Sequence, residues 1–109
     1  MIVTTTDSIE GSRVVQYLGI VSGDAVLGTN IFKDLFASVR DIVGGRSASY
    51  EKLLQEGKEQ ALADMAERAR ALGADAIVAV DLDYEVIGGD SKTLLMVCVN
   101  GTAVKLADA

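Results

Sequence analysis

The chain has 109 residues, half of them hydrophobic, with 16 acids against 10 bases for a net charge of −6, no histidine and one cysteine. The length holds one domain, residues 1–109, and one core. The acidic balance and scattered bases exclude a nucleic-acid surface, which needs clustered Lys and Arg. The absence of histidine removes every Ser-His or Cys-His nucleophile, so no catalytic residue is expected.

Mean hydropathy is +0.31 despite the net charge. A domain of this size buries only about two-thirds of the surface its unfolded chain exposes. The apolar surplus therefore predicts burial against further copies, a homo-oligomer. No stretch approaches the roughly 20 apolar residues needed to span a bilayer. The start lacks a basic segment followed by a long apolar one, as a signal peptide would have. One cysteine forms no internal disulfide. A cytoplasmic protein is expected.

In chain order, Ile2 to Thr6 is β-branched and reads as a strand. Arg13 to Val21 reads as a strand covered on both faces. Ser22-Gly23-Asp24 reads as a turn returning through Ala25 to Gly28, a hairpin. Thr29 or Asn30 can cap a short helix whose face is Phe32, Leu35, Phe36, Val39, Ile42 and Val43, ended by Gly44-Gly45. A longer helix follows, capped by Ser47 or Ser49. Tyr50, Leu53, Leu54, Gly57, Ala61, Met65, Ala69 and Leu72 trace its apolar side, and Gly73 stops it. Asp64 can pair with Arg68 one turn on. Gly57 in mid-helix costs about 1 kcal/mol against alanine and suggests a close neighbour.

Ala76 to Ile87 is a strand with period two. Gly88 to Ser91 is a turn, and Thr93 to Val104 the partner strand, with a bulge expected at Asn100-Gly101. The order predicts an α+β two-layer domain with an antiparallel or mixed sheet, one long helix and a short preceding helix.

The runs YLGIVSGDAVLGTNIFKDLFASVRDIVGGRSASYE and LGADAIVAVDLDYEVIG closely resemble the YbjQ family, labelled heavy-metal-binding, and the likeness spans Met1 to about Leu106. It implies a β-α-β-β subunit, similar to that of dodecin, with extra short strands for assembly into a closed homopentamer. Composition leads to an oligomer; the number five comes from the resemblance.

The candidate sites are few. Asp81, Asp83 and Glu85 alternate onto one strand face, each about 7 Å from the next, and such a row wants water, arginine or a hard cation. The plainer reading is a solvated face or an interface ladder. Cys98 and Met96 share a face and could offer soft-metal ligands if a ring gathered several copies, although both residue types are commonly core. Gly44, Gly45, Arg46 and Ser47 could cradle an anion at a helix start, or simply form a tight hinge between helices. The cofactor is unknown, with a metal ion the candidate. A binding protein with its site at subunit junctions is expected. A ring that only scaffolds a protein partner is the alternative, and a carboxylate enzyme the third reading.

Overall fold

A computed structural model describes residues 1–27, 42–43, 46–89 and 92–107. Its elements are β1 (Ile2–Val3), β2 (Val14–Leu27), β3 (Ile42–Val43), β4 (Arg46–Ser47), α1 (Ala48–Ala71), β5 (Ala76–Gly89) and β6 (Lys92–Leu106). Four strands form one sheet in the order β1-β5-β6-β2, and β3 pairs antiparallel with β4 apart from it. β1 runs parallel to β5, while β6 is antiparallel to both β5 and β2, so the sheet is mixed. One long helix on a mixed sheet is the α+β layout expected.

The first expected hairpin does not exist. Ser22-Gly23-Asp24 lies inside a single 14-residue strand, paired throughout with β6. Glycine serves close approach here, not a turn. A Cβ built on Gly23 would fall onto the Ala61 carbonyl oxygen and lie 2.8 Å from the Met65 nitrogen of α1. A bare backbone at this point lets the helix seat directly on β2.

The short preceding helix expected over 29–43 falls largely outside the described residues. Its last two positions, Ile42 and Val43, are strand: they pair antiparallel with Ser47 and Arg46, immediately before α1.

α1 buries Gly57, Ala61, Met65 and Ala69, four residues apart, as one ridge against Val21, Ala25, Val97 and Val99. Leu72, expected on that side, is half exposed because it lies past the last helical residue. The helix ends with Gly73 N–H donating to the Arg70 carbonyl (2.9 Å) and Ala74 N–H to the Ala69 carbonyl (3.0 Å), the bonding pattern of a Schellman cap. Arg68 does not pair with Asp64; its guanidinium donates to the Ser22 carbonyl at 2.8 Å and ties the helix to β2.

The period-two reading of β5 fails at one place. Register slips between Val78 and Asp81, and Ala79 takes φ +54°. This bulge turns both Ile77 and Val80 toward the helix, while Val78 joins Ala76 and Val104 on the opposite face. The irregularity expected at Asn100-Gly101 thus sits across the ladder from it. Gly101 makes the room: a Cβ there would lie 2.7 Å from Ile77 Cγ2 and 3.0 Å from Val80 Cγ2. The N-terminal segment follows the bulge, with Val80 N–H donating to the Thr4 carbonyl (3.0 Å) and Ala79 N–H to the Thr6 carbonyl (2.7 Å).

The molecule is elongated, 52 × 28 × 17 Å, with a radius of gyration of 17.2 Å against about 13 Å for a folded chain of this length. Its accessible surface is 7135 Å²; a compact monomer of its mass has about 5,800 Å². Apolar side chains stand in the excess, among them Ile20 (84% exposed), Tyr17 (73%), Val86 (62%) and Val26 (57%).

Candidate functional site

The sheet face away from α1 gathers the acid row and the sulfur pair that the sequence offers separately. Alternation sends Val21, Gly23 and Ala25 of β2 under the helix and Ser22, Asp24 and Val26 to the other side. On β6, Leu95, Val97 and Val99 are buried beneath α1, so Met96, Cys98 and Asn100 project outward. Past the bulge, Asp81, Asp83 and Glu85 of β5 point the same way, all exposed.

Register aligns these residues in rows. Asp83 and Asp24 stand opposite Cys98 on either side, Glu85 and Val26 flank Met96, and Asp81 and Ser22 flank Asn100. Asp24 is the residue missed in the sequence, where the supposed turn hid it. The alternation from Val21 to Ala25, with Ser22 and Asp24 between the apolar positions, was the signal that could have revealed it. Of the expected anion cradle, Arg46 and Ser47 form β4, and Gly44 and Gly45 lie outside the described residues.

The acids repel one another. Asp83 is pushed above the usual carboxylate range, first by its hydrogen bond with the Asp81 carboxyl and by that group's charge, then by some desolvation and the charge of Glu85. A cation placed over the row would relieve this repulsion.

A soft metal fits less well. Directly opposed residues on neighbouring strands have Cβ atoms about 5 Å apart, so Asp24 and Asp83 lie roughly 10 Å from each other across the thiol. Among the described residues, no three Cys, Asp or Glu side chains come close enough together to hold a metal ion. One thiol and one thioether are too few for a thiophilic ion within a single chain.

A second polar feature is the groove lined by Ile2, Thr4, Thr6, Ser8, Ile9 and Glu10. Its hydroxyls bond locally: Thr6 Oγ1 donates to the Ser8 carbonyl (2.7 Å), and Thr4 Oγ1 accepts from the Thr6 N–H (3.2 Å). It is a turn holding itself together.

Residues 1–107 match the YbjQ family, described as "Putative heavy-metal-binding". The chain belongs to this family. The YbjQ chain is also similar to a crystal structure of a protein of unknown function from the DUF74 family of Pediococcus pentosaceus ATCC 25745. Identity is 18%, the alignment covers 98% of each chain, and the TM-score is 0.68. At that identity the likeness shows a shared fold. Among the described residues, no helix is long and apolar enough to cross a membrane.

Proposed function

We propose that this YbjQ-family protein is a homo-oligomeric binding protein, a ring of five by family resemblance, that takes up a cation on the acidic sheet face near the junctions between subunits. The observation that carries this is the company the acids keep. Asp24, Asp81, Asp83 and Glu85 share their face with exposed Ile20, Val26, Ile87 and Leu94, an apolar margin that another copy would cover. The surplus accessible surface supports the same assembly. Binding is favoured over catalysis because no histidine is present to activate a nucleophile.

Native mass spectrometry tests the assembly and retained ions together; a mass of one 11.4 kDa chain at micromolar concentration would refute the ring. Calorimetric titration with Ca²⁺, Zn²⁺ and Cu⁺ tests the site. Heat with Ca²⁺ that disappears in Asp83→Asn supports a hard cation on the acid row. No heat with any of the three leaves the alternative, a ring that serves as a scaffold.

A further inference from the structure

We propose that the N-terminal segment over residues 4–6 is a latch: it holds the β5 bulge in place and so keeps Asp81, Asp83 and Glu85 on the sheet face away from α1. The latch stands whatever that face binds.

Ala79 is the one non-glycine among the described residues with a positive φ, +54°, a region that a Cβ disfavours. Such a conformation persists only where its surroundings over-determine it. In a regular strand successive N–H groups point to opposite sides, so one neighbour serves every second amide. Here two successive amides turn to the same neighbour. Ala79 N–H donates to the Thr6 carbonyl at 2.7 Å and Val80 N–H to the Thr4 carbonyl at 3.0 Å, while Thr4 N–H donates to the Ile77 carbonyl at 3.0 Å. Three backbone bonds bracket the extra residue, and flattening β5 would take one of the two amides away from the segment.

Side chains brace the latch. Thr6 N–H donates to Thr4 Oγ1 (3.2 Å), the two hydroxyls lie 2.8 Å apart, and Thr6 Oγ1 donates to the Ser8 carbonyl (2.7 Å). Gly101 admits the bulge from the other strand; residues 4–6 retain it.

A strand that lost this bulge would slip by one residue and send every later side chain to the other face. Strict alternation from Val78 carries Val80, Leu82, Tyr84 and Val86 outward and brings Asp81, Asp83 and Glu85 to the helix side. Burial opposes this only near the bulge, at buried Val80 and half-buried Leu82. Farther along, Tyr84 is 44% and Val86 62% exposed, so acids in their places would keep their water. The flattened register would also set Leu82, in place of Asp83, opposite Cys98.

Cys98 therefore reads the register. Directly opposed residues on paired strands lie within disulfide reach, whereas side chains on opposite faces do not meet. After oxidation, links within one chain are read by peptide mass. Asp83→Cys should link to Cys98, and Leu82→Cys should not. Thr4→Pro deletes the donor to Ile77 and unseats the segment; the 83–98 link should be lost and the 82–98 link gained. Adding Ala79→Gly, which removes the penalty on positive φ, should restore the 83–98 link. A Thr4→Pro chain with native far-ultraviolet circular dichroism and an undiminished 83–98 link would overturn the proposal. A second arm leaves every backbone donor in place. Ala79→Val makes the positive φ costlier and should give both links. Thr4→Val with Thr6→Val removes the bracing hydroxyls and should then move that mixture toward 82–98. The 83–98 link alone through this whole second series would overturn the latch as well.

Discussion

Asp83 and Cys98 stand directly opposite each other on β5 and β6, and Asp24 flanks the same thiol from β2. Three residues from three strands thus form one row, with the thiol on the inner strand half-buried between two exposed carboxylates. Any cation or partner approaching this face meets that row and the neighbouring Glu85 together.

The raised proton affinity of Asp83 gives the face a pH signature. Its folded-state pKa lies above the ordinary 3.8, so the native protein holds more protons than the unfolded chain just above that value. Stability should therefore rise as pH falls through the shifted value toward 3.8, and fall again as pH is raised. Asp83→Asn removes this contribution. Thermal melts at stepped pH should show wild type gaining on the variant as the solution is acidified from neutrality toward pH 4; parallel profiles would contradict the repulsion described.

Gly23→Ala should destabilise the fold. The new methyl group collides with the Ala61 carbonyl, which is backbone and cannot swing aside. Overpacking of this kind costs about 1–3 kcal/mol. Urea unfolding should show the midpoint falling without a change in slope.

Met65 is fully buried at the centre of the helix ridge. Met65→Ala should cost about 2–5 kcal/mol through lost burial and the cavity left behind. Leu72→Ala, at a half-exposed position beyond the helix end, should change stability far less. Equal losses at the two sites would contradict the packing described.

Asp75 holds the end of β6. Its Oδ2 accepts from the Leu106 N–H at 2.9 Å, and its own N–H donates to the Val104 carbonyl. Asp75→Ala removes the first bond and should cost about 0.5–1.5 kcal/mol. Hydrogen exchange at the Leu106 amide should quicken more than at Val97, which lies mid-strand.

Much of the architecture was legible because burial leaves a period. α1 announced itself by Gly57, Ala61, Met65 and Ala69, and Gly57 met the expected close neighbour: a Cβ there would lie 3.0 Å from Val97 Cγ2. The acid row was legible for the same reason. What misled was glycine, which looks alike whether it makes a turn or admits a backbone. Gly23 was read as the first and serves the second. That one reading split β2 and hid Asp24. The β5 bulge was invisible because Val78, Ala79 and Val80 suit either face, and only Gly101 on the partner strand decides which way they turn.

β6 is the inner strand shared by β2 and β5, and it comes last of the elements in chain order. During synthesis, the two flanking strands must wait without a common template while their apolar faces remain wet. Tertiary structure can lock only once residues 92–106 have emerged, so a nascent chain halted at Gly89 should bind more of a hydrophobic dye than the chain that carries β6.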